Sequence, residues 1–308
     1  MKILSIGSAI LDKITFVDCL PKKDKEYDTF DLIEVGGCAA NVAVGLAQLG
    51  LQSDILCSLG NDVDGDFIKE VLSSKGVSMR RVSQKEGRTG YCKAYVDNEA
   101  ERTFFNYDGV NLMLDDTHVK KDIIASYSAL YIAGYELLDT SAAKVLLKAI
   151  GYANEANVPV YFDPSPEIKD IPSEILSDVL SRSDYVILNR DEANAYGQTL
   201  NIELCAKMLK DHGAKNVIVK LGNEGCYFHN EFESFYEKHF EVDAVDTNGA
   251  GDAFMAGFIR ARLHGYDRRE SCKYANAVAS IIVGEKGSQS ETLSPERVEE
   301  VLANGKSR

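Results

Sequence analysis

The chain has 308 residues, enough for one large α/β domain or two small ones with a sizeable core. Hydrophobic residues make up 45% and charged residues 27%, the balance of a soluble globular protein, and no apolar run approaches the length of a membrane span. A formal net charge of −14 makes nucleic acid and anionic membrane surfaces poor partners.

From the N-terminus, KILSIGSAI (2–10) predicts a buried strand. The segment MKILSIGSAILD is too short and too soon followed by charge for a signal peptide, so a cytoplasmic protein is expected. Next, NVAVGLAQLG (41–50) predicts a helix closing at Gly50, SDILCSLG (53–60) a strand, and DGDFIKEVLSSKG (64–76) a helix closing at Gly76. Further along, ALYIAG (129–134) predicts a strand, TSAAKVLLKAIGYANEAN (140–157) a helix and VPVYFDP (158–164) a strand. SDYVILN, DEANAYG, IELCAKMLKDHG and KNVIVKLG continue the alternation to residue 222. Repeats of this kind argue a mostly parallel sheet with helices on both faces.

Residues 13–35 and 88–108, approximately, break the rhythm. Both read as extended segments without helices, and the second carries a turn signal at Asp97-Asn98. The pattern fits a small inserted β-sheet acting as a lid and, equally, an extension of the main sheet. No internal repeat, low-complexity segment or Pro/Gly linker divides the chain, so residues 1–308 are expected to form one domain with this excursion. Seven scattered cysteines, odd in number and without a CxxC pair, fit reduced thiols, and five histidines show no HxH or HExxH spacing for a transition metal.

The stretch DTNGAGDAF (246–254) carries the chemistry. GxxxxGK[ST] is absent, and the dinucleotide fingerprint fails because Phe254 stands where a small residue is needed. AFMAGFIRARLHG follows, a helix by its apolar spacing. Backbone N–H groups of Gly249, Ala250, Gly251 and Asp252 would therefore sit at a helix N-terminus, where the macrodipole favours an anion. Asp252 is at odds with a phosphate unless it faces the attacking group, where a kinase needs a base to take a hydroxyl proton. As a plain sequence feature, an acidic helix cap after a glycine turn fits equally well.

The same stretch resembles the C-terminal signature of the ribokinase-like (PfkB) carbohydrate kinase family. VGGCAANVAVGLAQLG (35–50) is similar to that family's N-terminal signature, LNRDE (188–192) to its N-x-x-E element, KLGNEG (220–225) to its nucleotide-side glycine turn, and ANAVASIIVGEKGS (275–288) to its adenine-side helix and loop. The matches run in family order over nearly the whole chain. The resemblance implies a three-layer α/β fold with a β-sheet lid, and ATP-dependent phosphorylation of a primary hydroxyl on a sugar or sugar-like molecule.

It implies roles as well. Asp252 is the catalytic base, with Gly249, Ala250 and Gly251 as its anion hole. Asp12, Gly36, Gly37 and Asn41 hold the substrate. Asn189, Lys220, Gly222, Gly225 and Asn276 lie on the nucleotide side. Glu192 meets Mg²⁺ through water, and Asp246, with carbonyls near 283–288, takes a monovalent cation such as K⁺. A homodimer through the lid is implied, and closing the lid would exclude water.

The residues alone leave bland alternatives open. Asn189 and Glu192 also spell a capping box, Asp12 a strand-end turn, the glycine pair a helix-start turn, and Asn276 an exposed helix position. Cys38 departs from the family, since ribokinases proper commonly carry lysine there, which counts against ribose. Arg88, Lys93 and Arg102 keep a phosphosugar acceptor open. A nucleoside kinase and a silent sugar-binding protein on the same fold are the other readings.

Overall fold

The computed structural model describes residues 1–17, 29, 31–97 and 102–307, without the side chains of residues 31 and 102. The apolar run at the N-terminus divides in two. β1 (Lys2–Ile6) stops before Gly7, and β2 (Ile10–Phe16) starts a second sheet, so Asp12 lies within a strand and not after one. Packing enforces the break: Gly7 has a φ of 150°, and a Cβ there would stand 2.7 Å from the Cβ of Ala133.

β3 (Asp31–Gly36) leads into α1 (Cys38–Gln48), which is followed by β4 (Gln52–Leu56), β5 (Ser58–Gly60), α2 (Val63–Ser74), β6 (Val77–Ser78) and β7 (Ser83–Lys85). SDILCSLG is thus two strands, because β5 leaves the main sheet to pair with β7. β8 (Tyr91–Val96) and β9 (Arg102–Tyr107) form the expected extended pair, while Asn98 of the predicted turn lies outside the described residues.

The second half keeps the alternation. It runs α3 (Lys121–Ile124), β10 (Ala129–Ala133), α4 (Thr140–Glu155), β11 (Val160–Asp163), α5 (Ser173–Arg182), β12 (Tyr185–Asn189), α6 (Arg190–Gly197), α7 (Ile202–Asp211) and β13 (Asn216–Lys220). A hairpin of β14 (Cys226–Asn230) and β15 (Ser234–Glu237) follows, then α8 (Ala250–Leu263), α9 (Arg268–Val283) and α10 (Pro295–Asn304).

Nine strands make the central sheet in the order β15-β14-β13-β12-β11-β10-β1-β4-β6, parallel except for the β14–β15 hairpin at one edge. Apolar side chains cover both faces. Ile3, Tyr131, Ile187 and Ile218 pack with α1, α8 and α9 on one side; Leu4, Ile132, Phe162 and Val186 pack with α4, α5 and α7 on the other. The architecture is the three-layer α/β fold with a mainly parallel sheet that the alternation predicts.

A separate four-stranded sheet, β3-β2-β8-β9, stands off this body and settles the alternative left open by the pattern. It does not extend the central sheet. Register places Asp12 opposite Glu34 on one neighbour and Cys92 on the other, so these three share a pleat face.

Parallel strands end together, and their carboxyl ends collect chemistry. Ala133 is in register with Asp163, and Asn189 with Lys220. Asp163, Asn189 and Lys220 therefore come from adjacent strand ends on one rim, below the small sheet's entry at Asp12.

Candidate active site

α8 begins on this rim. Gly249 is its N-cap with φ of 72°, in the left-handed region, and a Cβ there would meet the Ser288 carbonyl oxygen at 2.2 Å. Only glycine lets the loop lie so close to residue 288. The amide of Ala250 is engaged by the Thr247 carbonyl at 3.3 Å. Among the described residues, the N–H groups of Gly249, Gly251 and Asp252 have no backbone acceptor, as expected for the first turn of a helix. Three amides without a backbone acceptor at the positive end of a 14-residue helix would favour an anion there.

Asp252 sits in the first turn of that helix, turned inward. Its Oδ2 accepts from Asn41 Nδ2 at 2.8 Å, and the Cys38 thiol lies close enough to act on its protonation. Burial, with Asp163 nearby, raises its pKa to about 7, against the lowering effect of Asn41, Lys220 and Cys38. A carboxylate tuned to neutrality is suited to exchanging a proton near pH 7.

Asn41, expected on the substrate, bonds Asp252. Its Oδ1 accepts from Gln289 Nε2 at 3.0 Å and Ser288 Oγ at 3.3 Å, while Gln289 also holds the Val35 carbonyl at 2.8 Å. Asn41 thus joins α1, α8 and the loop after α9. Cys38, in the first turn of α1, is raised well above an ordinary thiol by burial and by Asp252, so it remains a neutral hydrogen-bond donor.

Asp12 comes from β2 of the small sheet. It lies against the glycine pair so closely that a Cβ on Gly36 would stand 2.0 Å from its Oδ2. Burial first, and then Glu34, raise its pKa to about 6. Gly37 precedes α1 as its N-cap, next to the Ser8 carbonyl. Ser8 in turn donates to Glu136, a fully buried acid whose pKa burial raises to about 7 and whose Oε2 has no hydrogen-bond partner.

On the other side of Asp252 the capping box is real. Asn189 Oδ1 accepts from the Glu192 amide at 2.9 Å, and Glu192 accepts from Asn189 N–H and Nδ2 at 2.7 and 2.8 Å. Both carboxylate oxygens of Glu192 are thereby fixed. Its pKa is raised by burial and by Asp163, less the effect of Lys220. Lys220 pairs with Asp163 at 3.1 Å, the two side chains being 13% and 9% exposed.

Gly222 and Gly225 bound the short turn after β13. Asn276 is buried, not exposed, and its Nδ2 donates to the carbonyls of Glu237 and Lys238 at 3.3 and 3.0 Å, tying α9 to the end of β15. Asp246 accepts from the Asn248 amide at 3.0 Å and from Gly287 N–H at 3.3 Å, which places it on the 283–288 loop. Among the described residues no three His, Cys, Asp or Glu side chains are grouped to bind a metal directly. The side chain of Arg102 lies outside the described residues.

Asp163, Glu34, Glu136 and Gln289 were missed from sequence. Asp163 had a signal, since it ends the strand VPVYFDP at the same kind of rim that drew attention to Asp12. Glu136 had none, because a short 3-10 turn, Tyr135–Leu138, swings it inward.

A family model described as pfkB family carbohydrate kinase matches residues 1–295. The chain belongs to this family. Among relatives of the kinase, an ATP-dependent ribose-1-phosphate kinase of Halopiger xanaduensis is 32% identical, with 94% of each chain covered. A 5-dehydro-2-deoxygluconokinase of Bacillus subtilis is 30% identical over 97% of this chain and 95% of its own. In structure, the kinase resembles a putative ribokinase II from E. coli solved in complex with ATP and Mg²⁺, with a TM-score of 0.84, 25% identity, and 98% and 99% of the two chains covered. This protein is thus a sugar kinase in family and fold. No helix among the described residues is long and apolar enough to cross a membrane.

Proposed function

We propose that the enzyme transfers the γ-phosphoryl group of ATP to a primary hydroxyl of a neutral sugar or sugar-like molecule, with Asp252 as general base. The observation that carries this reading is the placement of Asp252: a carboxylate of pKa about 7 in the same helical turn as open amides. An acceptor hydroxyl at Asp252 loses its proton while the amides of Gly249, Gly251 and Asp252 stabilise charge on the transferring group. Asn41 and Cys38 aim the carboxylate. Asp12 meets acceptor hydroxyls, and the glycine pair lets the ring approach the backbone.

The residues present fit a magnesium ion held through water. Glu192 is pinned by Asn189, and among the described residues no three His, Cys, Asp or Glu side chains are grouped for direct ligation, so it would serve to orient a hydration shell. When bound, the ion neutralises charge on the phosphate oxygens. Asp246, bonded by Gly287 of the 283–288 loop, is the acid that would face a potassium ion. The turn of Gly222 and Gly225 and the α9–β15 junction at Asn276 form the nucleotide side. The chain is one domain in this reading, cytoplasmic, with β3-β2-β8-β9 as its lid and its exposed Phe104 and Phe105 as a surface for a second copy.

Charge supports a neutral acceptor. Asp12 and Glu34 share the acceptor face of the lid. Lys93, next to Cys92 in β8, falls on the other face with Lys13, which pairs with Asp64 at 3.0 Å. Arg88 stacks near Tyr91 and Tyr107, on that same face. A phosphosugar or sugar acid would meet carboxylates among the described residues of the acceptor side.

ADP release with Mg·ATP across neutral sugars, nucleosides, sugar acids and phosphosugars, followed by identification of the phosphorylated carbon, tests the reading. A neutral acceptor phosphorylated on a primary hydroxyl is expected. Turnover confined to an anionic acceptor would overturn the assignment of substrate class, and binding of a sugar without any turnover would turn the reading to a silent binding protein.

A further inference from the structure

A buried ammonium beside a helix N-terminus is disfavoured by the helix itself, whose open amides carry about half a positive charge there. Lys220 occupies that position. Its Nζ donates to Asp163 Oδ2 at 3.1 Å and stands 3.1 Å from where a Cβ on Gly251 would be, directly under the anion hole. Burial lowers the pKa of the ammonium, and the negative field of Asp163, Glu192 and Asp252 more than reverses that, so Lys220 stays charged. The retained charge stands beside Gly251, the residue before Asp252 in the chain.

We propose that Lys220, anchored by Asp163, is a positioning residue for phosphoryl transfer whose charge acts through Asp252 and keeps the base in its carboxylate form. The proposal rests on the reading of Asp252 as the base. Asp252 is faced by Asn41 and Cys38 from α1, Asp163 from the end of β11 and Lys220 from the end of β13, with Tyr131 of β10 and Glu192 of α6 completing the titratable surroundings. Lys220 is the cation in this set. Asp163 has two opposed effects, since it holds the ammonium in place and also sets its own negative charge against that of Asp252.

Those signs make the proposal separable from a structural role. In kcat–pH profiles at saturating Mg·ATP and acceptor, Lys220→Met removes a positive charge, so its acid limb moves to higher pH. At pH 6 it keeps about a tenth or less of the fraction of plateau activity that wild type keeps. Asp163→Asn moves the limb the other way, to lower pH. Lys220→Arg keeps the wild-type limb. The double variant Lys220→Met/Asp163→Asn, which removes both members of the Lys220–Asp163 pair and so guards against a misfolded single variant, returns the limb towards wild type. Limbs that stay in place, or that shift in the same direction in both single variants, overturn the proposal. Asp252→Asn, run alongside, distinguishes the two levels: if it is as active as wild type, the base assignment fails, whereas an inactive Asp252→Asn with an unmoved Lys220→Met limb overturns the role of Lys220 alone.

Discussion

Around Asp252 each polar group is held by another. Asn41 bonds Asp252 and is itself bonded by Gln289 and Ser288; Lys220 is bonded by Asp163; Glu192 is bonded twice by Asn189. The lid sheet is built the other way. Phe104 and Phe105 are 55% and 57% exposed, and Ile33 and Leu32 are 49% and 42% exposed. A phosphoryl-transfer site must hold its groups to a fraction of an ångström, and buried hydrogen bonds with few alternatives do so. A lid that closes on an acceptor needs surface that can move and repack. In the proposed reading, chemistry is fixed in the floor and choice of acceptor is left to the lid.

Substitutions in the floor should therefore act on kcat and those in the lid on KM or association. Among substitutions that leave Asp252 in place, the largest effect is expected for Gly249→Ala. Its φ of 72° and the 2.2 Å approach to Ser288 leave no room for a Cβ, so the anion hole must shift. We expect kcat to fall about 10²–10³-fold, the loss typical of a missing oxyanion donor. A variant within twofold of wild type would show that the loop is looser than the floor's hydrogen bonds imply.

Glu136→Gln acts on stability. Burial raises the Glu136 carboxyl from its ordinary 4.5 to about 7, so the folded protein holds this proton more tightly than the unfolded chain does. The stability it contributes is complete below pH 4.5 and lost as pH rises through 7, on the order of 3 kcal/mol by pH 9. Denaturant titrations at pH 5.5 and 9 should show wild type losing stability with rising pH and Glu136→Gln losing less. Equal slopes in the two proteins would remove Glu136 from the account.

The smallest effect on the fold is expected in the lid. The double change Phe104→Ser and Phe105→Ser removes exposed rings, so the unfolding free energy should move by less than about 1 kcal/mol. Acceptor KM or the sedimentation coefficient should change while kcat holds. A loss of kcat as large as that of Gly249→Ala would erase the distinction between floor and lid.

The central sheet was legible because its strands are buried on both faces and read as continuous apolar runs separated by helical spacing. Breaks within those runs were not. Gly7 ends β1 through a contact with Ala133, far away in sequence, and β5 departs to pair with β7. The β14–β15 hairpin follows its glycine turn without a strong local signal. In the site, Asp252 and the glycine loop were legible as a motif on a helix start. The partnership of Asn41 with Asp252, and of Lys220 with Asp163, was not, because each joins residues brought together only by neighbouring strand ends and helices. Asn276 shows the same limit, since one sequence does not reveal that its amide ties α9 to β15.

The measurement that bears most directly on the account is acceptor-dependent ADP release by Asp252→Asn, with Mg·ATP affinity measured on the same preparation. We expect kcat to fall about 10²–10⁴-fold with ATP affinity nearly unchanged, as for the loss of a general base from an otherwise intact site. Turnover equal to wild type would contradict the assignment of Asp252 as the group that takes the proton.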